Sequence, residues 1–280
     1  MRRSTSPSFA RPGRFAVTAV LLTALASGCG GPPSAPSAPP PLPRYATVAE
    51  LGNAVGIQAK QDKTVKLSIV GTVSGGASPQ PATNEEQQVR YDAGGISVQL
   101  SRKLQEPGSP VPMESTILVL PDQAYVKPPE GIGMPLGKSW IKVPTASEEP
   151  WLQQLILQVQ ALRETADPTK TFTQLGSAAG ITESVEEPVN GVRSVRYKIR
   201  IDMVKAAEQQ TDPAIKAQLQ SQPPSVDATL WLDEHNRMLR QVAQRPGEDA
   251  TSIVTIDARY RDWGLPVDIN PPPPDQVIDA

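Results

Sequence analysis

The nine residues 65–73, VKLSIVGTV, decide the class of fold. Val65, Leu67, Ile69, Gly71 and Val73 alternate with Lys66, Ser68, Val70 and Thr72, a period of two that marks a strand with one face buried. Just upstream, Thr47-Val48-Ala49-Glu50 has the pattern of a capping box, and Val48, Leu51 and Val55 follow at helical spacing, so a helix is predicted over 47–60. Downstream, Gly75-Gly76 and residues 79–84 break the strand. Residues 87–92, the turn at Gly94-Gly95 and the alternation of Ile96, Val98 and Leu100 with Ser97, Gln99 and Ser101 then read as an antiparallel hairpin. A loop with Pro107, Pro110 and Pro112 leads to strands at 115–120, 123–127 and 139–143, so the first half is expected to be a meander of about six strands.

At Pro150 the period changes from two to 3.6. Leu152, Leu155, Ile156, Val159 and Leu162 give an amphipathic helix over 149–164. Asp167-Pro168 starts a second, short helix that runs through Phe172 and Leu175 and stops at Gly176. Strands resume at 181–187 and 192–202, joined by a turn at Asn190-Gly191, a pair that tolerates positive φ. Val195, Tyr197, Ile199 and Ile201 fall on one face of the second strand, with Arg193, Arg196, Lys198 and Arg200 on the other. Residues 203–222 read as a helix interrupted by a restart at Asp212-Pro213, and strands at 226–232, 237–244 and 251–261 complete the pattern. Short strands joined by hairpin-length turns, with a few helices, make an α+β protein whose antiparallel sheet carries helices on one face.

The beginning of the chain reads differently. Arg2, Arg3, Arg11 and Arg14 precede an apolar run at 15–26, too short for the roughly 20 residues that span a bilayer, and the pattern is that of an export signal. Leu25-Ala26-Ser27-Gly28-Cys29 then resembles the bacterial lipobox, with Ala26 where leucine is usual, and Cys29 is the single cysteine of the chain. Residues 1–28 are expected to be removed and Cys29 to carry diacylglyceryl, which anchors the protein to the outer face of the cytoplasmic membrane. The competing reading is an ordinary secretory signal with a free thiol. Residues 29–44 include PPSAPSAPPPLP, an extended spacer of about 3.1 Å per residue. A single domain is expected over 45–270, with 271–280 as a proline-rich tail.

Composition narrows the function. The signal takes four of the 27 basic residues and none of the 29 acidic ones, which leaves 23 against 29, a net of −6. With no Lys/Arg-rich run, that balance argues against nucleic acid as a partner. A single cysteine precludes an intramolecular disulfide, so the fold must be held by its core. The lone His235 falls in a predicted surface turn, an unpromising base for a Ser-His-Asp arrangement. The acidic pairs Glu85/Glu86, Glu148/Glu149 and Glu186/Glu187 are adjacent in sequence and so face different ways, as solvated charge does. Gly131-Ile132-Gly133 lacks the strand-to-helix setting and lysine of a phosphate loop. Trp140, Trp151 and Trp231 could frame a ligand or belong to the core. No enzyme, cofactor or metal site is expected.

Several short motifs in order carry a resemblance: Gly71-Thr72-Val73 after a lone helix, Asn190-Gly191 leading to Tyr197, Leu230-Trp231-Leu232-Asp233, and Tyr260-Arg261-Asp262-Trp263-Gly264-Leu265-Pro266-Val267-Asp268-Ile269. Together with the lipobox they resemble the actinobacterial LppX/LprAFG lipoproteins. The resemblance implies a fold similar to the LolA/LolB carriers, a strongly curved antiparallel sheet, or half-barrel, wrapped around a few helices with an apolar cavity between. It also implies binding of acylated lipids or glycolipids, their transport within the cell envelope, and a transporter in the membrane as partner. In such a fold the lining is expected from Leu67, Ile69, Val98, Leu100, Ile117, Val119, Leu152, Leu155, Ile156 and Val159. Two alternatives stand beside this: the same residues could close on one another as a dense core, and the protein could be a ligand-free envelope scaffold or sensor.

Overall fold

The computed structural model describes residues 40–75, 83–104, 113–210, 213–247 and 251–279. Cys29, the lipobox and most of the spacer lie outside the described residues, as do the prolines at 107, 110 and 112. The chain divides into two units, Met1–Pro40 and Pro41–Ala280, and the second carries all the described secondary structure.

The alternating stretch is strand β1, Thr64–Ser74, and it follows helix α1, Val48–Asp62. The capping box forms: Thr47 Oγ1 accepts from the Glu50 amide at 3.2 Å, and the Glu50 carboxylate accepts from the Thr47 amide at 3.2 Å. Lys63, at φ 68°, ends the helix in the left-handed region. The meander continues through β2 (Thr83–Asp92), β3 (Gly95–Leu104), β4 (Met113–Val119), β5 (Ala124–Lys127) and β6 (Trp140–Lys142). Thr83 and Asn84, expected in the break, instead begin β2, because they pair with Gly71 and Val70 of β1. Helix α2, Pro150–Thr165, and helix α3, Pro168–Leu175, follow, the latter capped by Asp167, which accepts from the amides of Thr169 and Lys170. Strands β7 (Ala179–Glu186) and β8 (Ser194–Asp202) flank a turn in which Asn190 and Gly191 both take positive φ, 51° and 79°. The short helices α4 (Met203–Glu208) and α5 (Pro213–Gln220) precede β9 (Ser225–Asp233), β10 (Met238–Pro246) and β11 (Ile253–Arg261).

These strands form one sheet in the order β12-β6-β5-β4-β3-β2-β1-β11-β10-β9-β8-β7, where β12 is Val277–Asp279. It is antiparallel except for the parallel pair β12–β6, curved, and unclosed, so the α+β half-barrel expected from the sequence is the architecture found. Its two halves join where β1 pairs with β11, Leu67 opposite Tyr260 and Ile69 opposite Ala258.

One face of the sheet is charged. Glu183 bridges Lys198 and Arg196, Arg196 also holds Glu187, Glu187 accepts from the Trp231 indole at 3.0 Å, and Arg240 lies 5.2 Å above the Trp231 ring while pairing with Asp257. The opposite face is apolar and carries α1, α2 and α3. Two core clusters form there. Leu51, Val55 and Phe172 pack with Val195, Tyr197, Leu230 and Leu232 on the β8–β10 side, while Val65, Val89, Val98, Leu100, Ile117 and Val119 pack with Val159 of α2 on the β1–β4 side. Helices α1 and α3 approach closely because α1 has glycines at the contact: a Cβ on Gly52 would collide with Phe172, and one on Gly56 with Thr169.

Residues 271–280 are expected as a tail; of these, Val277–Asp279 join the sheet as β12 and 271–276 lead up to it. After β11 the chain turns back across the charged face as a strap. Thr64 donates from Oγ1 to the Leu265 carbonyl at 2.7 Å, and Arg90 donates to the Ile269 carbonyl at 2.9 Å. Ile269 is fully buried against Leu118 and Tyr125. Ser139 then takes the Gln276 carbonyl at 3.0 Å and Lys138 the Val277 carbonyl at 2.9 Å, which sets β12 beside β6. The prolines at 271–273 suit the extended path that the strap needs, and Pro274 opens one short 3-10 turn, Pro274–Gln276, before β12.

Candidate functional site

Where the two core clusters meet, the apolar face does not close. A cavity of about 380 Å³ lies between β1, β2 and β8–β11 on one side and α3 with the end of α2 on the other. Its walls follow from strand alternation. Val65, Leu67 and Ile69 come from β1, Gln87, Val89 and Tyr91 from β2, Ile256, Ala258 and Tyr260 from β11, and Ile199, Ile201, Ala228, Leu230, Gln241 and Ala243 from β8–β10. Pro168, Thr171, Phe172 and Leu175 of α3 form the roof.

The reason for the hollow is visible in the strand register. Across the sheet, Gly71 stands opposite Ile256, Ile256 opposite Ala243, Ala243 opposite Ala228 and Ala228 opposite Ile199. The next row toward α1 holds Ile69, Ala258, Gln241 and Leu230. Three alanines, Ala228, Ala243 and Ala258, thus sit on the inward face where neighbouring positions carry leucine, isoleucine or tyrosine, while Gly71 at the end of the row is covered by the Thr83 side chain. A bulge between Met238 and Arg240 shifts the phase of β10, so that Met238, Gln241 and Ala243 all line the cavity. Helix α3 is only eight residues long and does not fill the space above them. Ile256, 40% exposed, marks where the cavity opens.

Polar groups gather in the part nearer α1. The Tyr260 hydroxyl donates to Gln241 Oε1 at 3.1 Å, and its ring stacks on Trp263 at 6.2 Å between centroids. Burial pushes the phenols of Tyr260 and Tyr91 well above the ordinary tyrosine value, and the negative charge of Asp167 adds to the shift at Tyr91. Both remain protonated donors at any physiological pH. No Asp, Glu, Lys or Arg lines this cavity among the described residues.

Of the ten residues expected to line a cavity, the structure brings Leu67 and Ile69 to this one. Val98, Leu100, Ile117 and Val119 are corrected to closed core, because α2 packs directly over β3 and β4 and buries them. Leu152 is buried on α2, and Ile156 and Val159 lie at a shallow hollow beside β5. Leu155 borders a second, more open hollow of about 760 Å³ between α2 and β4–β6, with Val126, Ile132, Ile141 and Trp151. The other tryptophans are elsewhere: Trp231 on the charged face under Arg240, Trp140 beneath the strap. Two of the three acidic pairs split as expected, Glu85 to Arg102 and Glu86 to Arg261, Glu186 to Arg44 and Glu187 to Arg196. His235 is exposed in the β9–β10 turn beside Glu234. No cluster of three or more His, Cys, Asp or Glu suited to a metal occurs among the described residues.

No protein-family model and no curated protein matches the sequence. Among solved structures, LprF from Mycobacterium bovis is similar over 81% of this chain and 99% of its own, at 16% identity and a TM-score of 0.43. A DUF1329 family protein from Desulfovibrio piger matches over 78% and 95% of the two chains, at 10% identity and a TM-score of 0.31. A LolA superfamily protein from Nitrosomonas europaea matches over 80% and 95%, at 10% identity and a TM-score of 0.29.

Proposed function

We propose that this protein is an exported, membrane-anchored lipoprotein whose folded domain takes up a lipid or another apolar ligand, with no catalytic step of its own. The observation that carries the reading is the alanine floor of the cavity. Native interiors are close-packed, and an apolar space of about 380 Å³ forfeits contacts that larger side chains would make. It falls within the roughly 300–1,000 Å³ of small-molecule sites. An acyl chain restores those contacts, at about 0.8 kcal/mol for each methylene removed from water, before ordering costs. The volume suits one chain, with its remainder leaving past Ile256. Anchoring rests on Cys29 as the acylated N-terminus, and no helix among the described residues is long and apolar enough to cross a membrane. Movement of a bound lipid through the envelope, with a transporter as partner, is the role proposed for such a carrier.

Mass spectrometry of organic extracts from the purified protein tests the first part. Recovery of acyl-chain lipid at near one equivalent is expected, and a protein that yields none and takes up no apolar fluorophore after solvent extraction would refute the carrier reading. For the anchor, Cys29→Ala should abolish incorporation of labelled fatty acid, and label that persists in the variant excludes acylation at that residue.

A further inference from the structure

The cavity is apolar in shape but not in all its chemistry. Gln87 is 7% exposed, lines the cavity, and makes no side-chain hydrogen bond within the described protein. The Tyr91 hydroxyl is likewise without a protein partner among the described residues, although the ring stands on the same wall. Gln241 spends its oxygen on Tyr260 and keeps its amide hydrogens. Buried polar groups in native proteins are almost always satisfied. Gln87 is buried without a partner among the described residues, and the half-buried Tyr91 and Gln241 turn further donors to the same space, which points to a partner that enters it.

The partner's charge can be read from what is missing. No cation lines the space among the described residues. Two guanidiniums lie near the space by strand register but outside its lining: Arg245, exposed two residues beyond Ala243 on the inward face of β10, and Arg102, two strands from Ile69 and held by Glu85 at 2.6 Å. The amides at the start of α3, which would otherwise favour an anion, are taken: Asp167 accepts from Thr169 and Lys170, and Pro168 has none to give. The hydroxyls of Thr165 and Thr171 donate back to helix carbonyls. What remains is two neutral amides and a phenol, which suit an uncharged carbonyl or hydroxyl and disfavour a carboxylate or phosphate that would be desolvated without a counter-charge.

Depth matters as well. Gln87 pairs across the sheet with Leu67, which in turn faces Tyr260, and Tyr91 lies further still from Ile256 and the opening. The polar group of the ligand must therefore sit inside the cavity, with the hydrocarbon running past Ala243 and Ala228 to the mouth.

We infer that the cavity is selective for an uncharged acyl compound, an ester or alcohol whose polar group meets the side-chain amides of Gln87 and Gln241, with Tyr91 deeper in the same space, over the ionised acid of the same length. The inference rests on the proposed uptake of an apolar ligand and narrows it to a substrate class.

Three 16-carbon probes test it on delipidated full-length protein at pH 8, each competing against a bound apolar fluorophore: methyl palmitate, palmitic acid and hexadecane. The ester should bind at least tenfold more tightly than the acid, and roughly five- to tenfold more tightly than the alkane, the worth of one net hydrogen bond. Gln87→Leu, and separately Gln241→Leu, should erase the advantage of ester over alkane while leaving hexadecane affinity within about twofold, which also shows that the cavity still forms. Equal binding of acid and ester, or an ester advantage that survives both variants, overturns the selectivity and leaves the apolar carrier standing. Failure of all three probes to displace the fluorophore removes the carrier reading itself, and the selectivity with it.

Discussion

Substituting Ala243 by leucine should do two opposite things at once. Ala243 stands between Ala228 and Ile256 on the cavity floor and faces open space. Leucine adds three carbons at that point. If the space is a true cavity, those carbons leave water and gain contacts that nothing occupied before, worth about 2 kcal/mol at 0.8 kcal/mol per carbon. For a unit of this size that corresponds to a rise in Tm of roughly 5 °C. The same carbons displace an equal length of ligand chain, so affinity for a 16-carbon probe should fall by about 2 kcal/mol, or roughly thirtyfold. Urea denaturation of lipid-free protein reads the first number, and displacement of an apolar fluorophore reads the second. Overpacking a closed core has the reverse signature, a loss of about 1–3 kcal/mol in stability with no change in uptake. That result for Ala243→Leu, repeated at Ala228→Leu, would mean that the floor is ordinary core and the cavity argument is wrong.

Two further substitutions probe what positions the site. Gly52→Ala raises helix propensity by about 1 kcal/mol but drives a Cβ into Phe172, so it should destabilise by roughly 1–3 kcal/mol in urea, and a stabilised variant would refute the close α1–α3 approach. Asp62 is held below the usual carboxylate range chiefly by its hydrogen bonds from Arg237, at 2.6 and 2.8 Å, against an opposing push from burial. Its pKa is lower folded than unfolded, so its stabilisation is full above the unfolded value and is lost as the pH falls through the folded one. Asp62→Asn should cost about 2 kcal/mol at pH 7, by unfolding midpoint, and the gap to the parent should narrow as the pH falls through and below the ordinary carboxylate range; a constant gap would contradict the linkage.

Local signals carried far in this chain. The Thr47–Glu50 box, the Asp167-Pro168 start and the Asn190-Gly191 turn each act over a few residues, and each formed where the spacing placed it. The cavity depends on relations of a different range. Leu67 meets Tyr260 across nearly two hundred residues, and no local pattern announces that β1 and β11 are neighbours. Without that pairing, Ala228, Ala243 and Ala258 are three unremarked small residues on three strands rather than one floor. The bulge in β10 hides Gln241 further, since strict alternation from Met238 points it to the other face. The sixteen-residue α2 is long enough to cover β3 and β4 and packs shut over them, while the eight-residue α3 leaves room above β8–β11. Strand β12 was invisible because three residues after four prolines show no period at all.

The strap that ends in β12 also sets an order of events. Ser139 and Gln276 are 137 residues apart, and β6 has no neighbour on its outer side until that contact is made. Long-range contacts close slowly, and an uncovered strand edge is a template for pairing with other chains. Once the first six strands are made both margins of that half-sheet are open, β1 until β11 arrives and β6 until the strap arrives after it. In the complete sheet the opposite margin is β7, whose Glu183 pairs with Arg196 and Lys198. The margin at β6 relies on timing, covered later than that of β1, so biogenesis of this protein stays exposed to misassembly there until the strap arrives.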